Sequence, residues 1–256
     1  MRDFSSRLYV ASVSELEEEF LYQKAYHLLP KERQETINAY RFFRDRRLSM
    51  GGFLLLMWGL KEWGIPAQEM EIAVHHGGKP YLKSQNNCYF NISHSGEYAI
   101  CAISEQEIGC DVEQISNYRK GIVERFFSPS ERQLFSGINT EEEKKMLFFR
   151  LWTLKESYIK TVGLGLSVPL DSFSISFSAG RDSGEIISVT CDSVHKNREE
   201  TEYYFREFDI HPLYRCALCG LDKNIESENM IICEKAVLSE IIGFLSEEIS
   251  GGLYEK

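Results

Sequence analysis

Hydrophobic and polar positions change period several times along the chain. An apolar run over 8–13 predicts a first strand. Ser14 follows, with Glu17 three residues on, which is the spacing of a capping box at the start of an acidic helix. Pro30 opens a second helical stretch that reaches about Tyr40. The segment 44–63 reads as a long helix, buried in its middle and closed by Gly64. Short strands are then predicted at 72–74, 89–93, 98–103 and 108–113, with turns at Gly77-Gly78-Lys79-Pro80 and Ser95-Gly96-Glu97.

A second cycle begins at Ser128-Pro129-Ser130-Glu131, which has a cap serine, a proline at the first helical position and a glutamate at the third. A long helix is predicted over 140–162, ended by Gly163 and Gly165, and strands near 173–177, 186–191, 202–208 and 214–221. The hydrophilic stretch 179–185 reads as a hairpin loop, and 236–248 as a final amphipathic helix with Val237, Ile241 and Leu245 on one stripe. Helices followed by strands thus occur twice without a residue-level repeat. The order predicts an α+β protein of two similar halves with a ligand cleft between them, divided as 1–115 and 116–235, with a helical extension over 236–256.

The chain has 256 residues, 43% of them hydrophobic, enough for a sizeable core. The formal net charge of −10 argues against general nucleic-acid binding. The longest apolar run is far short of the roughly 20 residues of a membrane span, and Met1 to Ser6 lack the apolar core of a signal peptide. The seven cysteines are irregularly spaced and read as reduced thiols of a cytosolic protein. Cys216 and Cys219 form a lone C-x-x-C in an apolar strand, a structural rather than a redox or zinc pattern.

Candidate chemistry lies in two segments. In the strand Ile108-Gly109-Cys110-Asp111-Val112-Glu113, alternation places Asp111 and Glu113 on one face and Cys110 and Val112 on the other. Two hard oxygen ligands side by side suit Mg²⁺. In the helix Trp152-Thr153-Leu154-Lys155-Glu156-Ser157-Tyr158-Ile159-Lys160, Glu156 and Lys160 share a face. Together they make a set for metal-assisted phosphoryl chemistry. Each segment also has a plainer reading, as a solvated strand end and as an ion-paired helix face. Two further patterns point to anion binding. Phe90-Asn91-Ile92-Ser93-His94-Ser95-Gly96 is either a phosphate contact through Ser93 and His94 or a turn that satisfies its own backbone. Arg41, Arg44, Arg46 and Arg47 are either guanidinium donors for phosphate or partners of nearby acids.

Taken together, these elements resemble the 4′-phosphopantetheinyl transferases, specifically the larger pseudodimeric type that activates nonribosomal peptide synthetases. The likeness rests on Gly78-Lys79-Pro80, Asn91-Ile92-Ser93-His94-Ser95, Gly109 to Glu113, Phe126-Phe127-Ser128, Trp152 to Lys160 and Gly163-Leu164-Gly165-Leu166, and it covers about residues 5 to 220. It implies two α+β halves with coenzyme A bound between them. Asp111, Glu113 and Glu156 would surround Mg²⁺, which also grips the pyrophosphate of coenzyme A. Lys160 would neutralise that pyrophosphate, and Lys155 would join it in binding coenzyme A. Lys79, Ser93 and His94 would lie near the adenosine 3′-phosphate, and Arg47 falls at the family's basic position in the long first-half helix.

The resemblance further implies a monomeric, cytoplasmic enzyme that moves 4′-phosphopantetheine from coenzyme A to a serine of an apo carrier protein, a peptidyl or acyl carrier domain. Nucleic acid and membrane are not expected partners. Glu156 is the first choice of general base, directly or through a metal-bound water. The chain departs from the family pattern at Cys110, where a small aliphatic residue is usual, and in the helix after Pro30. There Glu32 and Glu35 replace basic residues, and Lys31 or Arg33 stands nearby as a substitute. The segment after Glu234 is outside the likeness. The alternatives are a non-catalytic coenzyme A or nucleotide-binding module and a metal-dependent phosphodiesterase.

Overall fold

A long helix that is apolar around most of its circumference must be covered on several sides, and the first half of the chain is built around one. The computed structural model describes residues 6–66, 70–83, 87–179, 185–191, 201–226, 231–233 and 237–251. Strands β1 (Ser6–Ser12), β4 (Tyr89–Ser95) and β5 (Tyr98–Ser104) form a sheet with β11 (Ile231–Cys233), in the order β11-β1-β5-β4. β1 and β4 both run antiparallel to β5, and β11 is parallel to β1. On one face of this sheet lies α3 (Phe43–Glu62), with α1 (Glu19–Leu28) and α2 (Lys31–Ala39) against it. A short hairpin, β2 (Ile72–Val74) and β3 (Pro80–Leu82), follows α3.

The second half repeats the plan. It comprises β6 (Ile108–Gln114), α4 (Lys120–Phe126), α5 (Pro129–Ser136), α6 (Glu141–Val162), the hairpin β7 (Phe173–Ala179) and β8 (Glu185–Cys191), then β9 (Tyr204–Glu207) and β10 (Tyr214–Gly220). Its sheet has the order β6-β10-β9. In each half the first strand pairs with the last, and the last with the one before it: β1-β5-β4 in one, β6-β10-β9 in the other, all antiparallel. The long helices α3 and α6, and the hairpins β2-β3 and β7-β8, occupy matching places in chain order. The two-halves architecture is therefore a topological duplication even though residue identities do not repeat. The expected division after residue 115 put β6 at the end of the first half, but its ladder with β10 makes it the opening strand of the second.

The halves meet sheet to sheet. Leu8, Val10, Ile100 and Ala102 from the first pack against Ile108, Cys110, Val112 and Leu218 from the second, all fully or almost fully buried. Each fully buried Leu or Ile contributes about 1.5–3 kcal/mol, so this apolar layer is the main attachment between halves. The opposite face of β6, carrying Gly109, Asp111 and Glu113, looks toward α6, as strand alternation requires. Gly109 sits so close to α6 that a Cβ there would lie 2.3 Å from the carbonyl oxygen of Ser157 and 2.4 Å from the amide nitrogen of Thr161.

The helix caps divide the sequence expectations. Ser128 accepts from the amide of Glu131 while the Glu131 side chain accepts from the amide of Ser128, a complete capping box. Gly163 ends α6 in the left-handed region at φ 74°. Ser14, in contrast, caps nothing: Ser14–Glu17 is a 3-10 turn whose cap position is Val13, and the Ser14 hydroxyl is bonded to that of Ser12. It is Glu15 that caps a helix, and a distant one. Its carboxylate accepts from the amides of Leu238 and Ser239 at the start of α7 (Leu238–Gly251). That helix packs on α1 and α3, and Leu238, Ile241, Ile242 and Leu245 join the core of the first half. The loop expected over 179–185 lies mostly outside the described residues, but β7 and β8 pair as a hairpin would require. β3, β11 and α4 have no counterpart among the sequence expectations. Among the described residues no helix is long and apolar enough to cross a membrane, and six cysteines are free thiols.

The closeness of β6 to α6 can be tested directly. Gly109→Ala should destabilise the protein by about 2 kcal/mol, the usual range for overpacking a tight contact, read from the midpoint of urea unfolding. A wild-type midpoint would mean that the two backbones have room to separate.

Candidate active site

The site is built where β6 passes between α6 and the edge of the other half's sheet. Asp111 is 4% exposed. Its Oδ1 accepts from Lys160 Nζ at 2.6 Å and from Ser93 Oγ at 2.8 Å, so one carboxylate oxygen is held by α6 and by β4 at once. Lys160 Nζ also donates to Ser93 Oγ at 3.0 Å and to the carbonyl of Cys110 at 3.2 Å. Asp111 Oδ2 is buried and has no hydrogen-bond partner among the described residues. A buried carboxylate oxygen without a donor is costly, and it marks a place for an external donor or cation.

The neighbouring acids are perturbed in the same direction. Burial pushes Glu113 up to about 7, with Asp111 adding to the rise, although the hydroxyl of Ser95, 2.8 Å from Oε2, works against it. Burial also raises Glu156, again with Asp111 adding to it and Lys160 opposing. For Lys160 burial is the largest single influence and lowers the ammonium's pKa, but Asp111, Cys110 and Glu156 together outweigh it and the net shift is upward. Three carboxylates and one firmly charged ammonium thus share an electrostatic neighbourhood.

A cleft of about 330 Å³ opens beside them, lined by Asn91, Ile92, Glu156, Ile159 and Lys160 together with the Gly77–Pro80 turn and the glycines that follow α6. Its far wall is two glycine turns in contact. A Cβ at Gly77 would lie 2.2 Å from the carbonyl oxygen of Gly163, which keeps the β2-β3 turn against the end of α6.

Not every expected residue offers its charge to this cleft. Lys155 does not reach it. Its side chain is 0% exposed, and Nζ donates to both oxygens of Glu131, each at 2.8 Å, and to the carbonyl of Phe173 at 2.7 Å. Glu131 also accepts from the amides of Ser128 and Ile175. Burial lowers the Lys155 pKa and Glu131 opposes that shift. Successive helix positions are separated by about 100°, so anchoring Lys155 inside the second half turns Glu156 toward the cleft. Lys79 lines the cleft with its chain, but its ammonium is committed to Glu107 and to the carbonyls of Ile108 and Thr161. Arg47 is ion-paired with Glu17 at 2.8 Å and donates to the carbonyl of Val13. His94 follows Ser93 on β4, points to the opposite face and is exposed. Of the nearby substitutes, Arg33 is bound to the carbonyl and hydroxyl of Ser49, while Glu32 and Glu35 are both exposed. The sequence reading named Asn91 and Ser95 within the 90–96 motif but gave them no site role, although polar residues at 91, 93 and 95, on one face of β4, were the available signal.

Among the described residues, no three His, Cys, Asp or Glu side chains stand together as a ready metal cage. Glu156 lines the cleft, and Asp111 and Glu113 lie near enough for the charges of the three acids to act on one another. The donor chemistry nevertheless suits a hard divalent ion. Mg²⁺ takes one or two carboxylates, and waters and substrate phosphates fill its remaining positions. The unpartnered Oδ2 of Asp111 is one such donor.

Two measurements follow from this geometry. Lys155→Met leaves Glu131 as a buried charge without its cation and should cost about 3–5 kcal/mol of stability in denaturant unfolding. A loss below about 1 kcal/mol would show that the two amide donors suffice for Glu131. The raised carboxyl of Glu113 has a definite sign for the metal-free protein. A folded pKa of about 7 above an ordinary 4.5 favours the folded state below pH 4.5, and that contribution is lost as pH rises through 7. The Tm of metal-free protein should therefore fall between pH 5 and pH 7.5 by more in the wild type than in Glu113→Gln. Equal slopes would remove Glu113 as a titrating group in that window.

Comparison with known proteins identifies the family of the chain. Residues 107–219 match the family model described as the 4′-phosphopantetheinyl transferase superfamily, and residues 16–106 match one described as 4′-phosphopantetheinyl transferase, N-terminal. A 4′-phosphopantetheinyl transferase of Bacillus subtilis is 32% identical over 190 residues, which is 74% of this chain and 80% of that protein. The 4′-phosphopantetheinyl transferase gsp of Aneurinibacillus migulanus is 31% identical over 196 residues, 76% of this chain and 77% of that protein. The human L-aminoadipate-semialdehyde dehydrogenase-phosphopantetheinyl transferase is 31% identical over 194 residues, covering 70% of this chain and 62% of that protein. With two family models that together match residues 16–219, and with this degree of identity over most of its length, the chain belongs to the 4′-phosphopantetheinyl transferase family.

Proposed function

We propose that the cleft binds coenzyme A and that the enzyme transfers its 4′-phosphopantetheine group to a serine of an apo carrier domain, of the peptidyl or acyl type used in nonribosomal peptide and related assembly. The observation that carries this reading is the Lys160–Asp111–Ser93 cluster, which joins both halves and reaches the cleft through Lys160. Lys160 offers an ammonium held in its charged state, suited to pyrophosphate oxygens. Asp111, Glu113 and Glu156 would hold Mg²⁺. When bound, that ion supplies charge neutralisation for the phosphate oxygens on which negative charge develops.

The serine hydroxyl oxygen forms a bond to the β-phosphorus of coenzyme A. The bond from that phosphorus to the bridging oxygen breaks, and 3′,5′-ADP leaves with the electron pair. The proton of the serine passes to Glu156. Without a metal, burial and Asp111 raise the Glu156 carboxyl above its ordinary value, and a bound Mg²⁺ would draw it back down, so a water held by that ion would be the alternative acceptor. Lys155 serves by fixing the rotation of α6, and Lys79 by tying the β2-β3 turn to the second half, so neither spends its charge on the substrate. The two fused halves supply both walls of the cleft, so a monomer suffices. Free thiols such as Cys101, Cys110, Cys216 and Cys219, all buried, suit a reducing cytoplasm.

Incubation with Mg²⁺, coenzyme A and an apo carrier, followed by the mass of the intact carrier, tests the reading. The carrier should gain one phosphopantetheine. Release of free phosphopantetheine would mean hydrolysis, and an unchanged mass with coenzyme A still bound would mean simple binding. Glu156→Gln should lower the transfer rate at least about 100-fold, the lower end for loss of a general base, with unchanged thermal stability. Near-normal turnover in that variant would remove Glu156 from the chemistry.

A further inference from the structure

β4 and β6 are each the edge strand of their own sheet, and they lie side by side where the two halves meet. Edge strands carry amides that need acceptors. Here the acceptors for β6 are side chains. Cys110 N–H donates to Asn91 Oδ1 at 3.0 Å, Val112 N–H to Ser93 Oγ at 3.4 Å and Gln114 N–H to Ser95 Oγ at 3.1 Å. Alternate residues of one strand thus serve alternate amides of the other.

The two serines do more than accept. A hydroxyl has one proton and two lone pairs. With a lone pair of Ser95 committed to Gln114 N–H, its proton is directed to Glu113 Oε2 at 2.8 Å. Ser93 does the same for Asp111, which also has Lys160 as an anchor. For Glu113 the Ser95 hydroxyl is the anchor found among the described residues.

We propose that Ser95 is a positioning residue that fixes the Glu113 carboxylate for a divalent cation, and that the Asn91-Ser93-Ser95 row lets the first half orient ligands carried by the second. This rests on the divalent-cation reading of the site given above. Groups that orient ligating carboxylates are typically worth about 10- to 100-fold in metal affinity when removed.

The test is direct binding of Mn²⁺ by electron paramagnetic resonance, with coenzyme A present and no carrier, alongside the Mg²⁺ dependence of transfer. Ser95→Ala should weaken Mn²⁺ binding about 10- to 100-fold and raise the Mg²⁺ midpoint in parallel. At saturating Mg²⁺, kcat should stay near wild type. Ser95→Thr keeps the hydroxyl and should restore the affinity. In a Glu113→Gln background Ser95→Ala should add no further loss, because the two act as a unit. Unchanged Mn²⁺ affinity in folded Ser95→Ala would overturn the proposal, and so would an equal loss in the Glu113→Gln background. If Ser95→Ala does not fold, Ser95→Cys, a weaker donor, should show intermediate affinity, and wild-type affinity there would overturn it too. Ser95-dependent Mn²⁺ binding in a protein that transfers nothing to any carrier would instead sink the transferase reading and leave this one standing.

Discussion

A carboxylate moved out of water must find compensation, and the organisation of this protein follows from where Asp111 finds it. Its side chain is buried at the junction of the two halves, and the effective penalty for such burial is several kcal/mol. One donor comes from α6 through Lys160, and the other from β4 through Ser93. Neither half alone supplies both. The counterpart strand in the duplication, β1, carries Val10, Ala11 and Ser12 in an apolar or small stretch and has no acid to compensate. One fold used twice therefore yields one acidic site, because only one of the two opening strands places a carboxylate against its long helix, whereas β1 sets Arg7 beside Glu62 of α3.

The long helix of the second half divides its charges by direction. Lys155 and Lys160 are of one residue type on one helix, yet their pKa values move oppositely. Burial dominates at Lys155 and lowers it, whereas at Lys160 the surrounding acids outweigh burial and raise it. The difference lies in what each ammonium meets. Lys155 enters a closed pocket already crowded with the α5 cap and the start of β7. Lys160 stands at a cleft edge beside Asp111, with its side chain 27% exposed. The first arrangement fixes the helix, and the second leaves a charge able to meet an anion.

The alternation in 108–113 was enough to place Asp111 and Glu113 on one face, and the spacing of Glu156 and Lys160 was enough to place them together. Both are local periodicities, fixed by backbone geometry alone. What the sequence concealed were partners at long separation. Lys155 beside Glu156 looks like a charged helix face until Glu131, in a different helix, encloses it. Lys79 reads as a phosphate ligand until Glu107 and two distant carbonyls take its protons. Ser14 has the spacing of a cap, but the chain turns too tightly there, and its neighbour Glu15 caps a helix at the other end of the molecule. Locating β6 at the head of the second half needed the pairing with β10, which no local pattern contains.

The electrostatic coupling of the three acids is itself physically informative. Gathering Asp111, Glu113 and Glu156 into a closed cage would set like charges together in a poorly solvated place, and the raised carboxyls of Glu113 and Glu156 already register that repulsion and burial. Holding each acid separately, Asp111 by Lys160 and Ser93 and Glu113 by Ser95, limits the repulsion while keeping the oxygens near the cleft. Carboxylates beside the cleft repel a pyrophosphate, and a pyrophosphate alone gives the acids no relief. A divalent cation reverses both signs, since each ligand lowers the electrostatic cost of the other. On the proposed reading, coenzyme A and Mg²⁺ therefore bind with positive coupling.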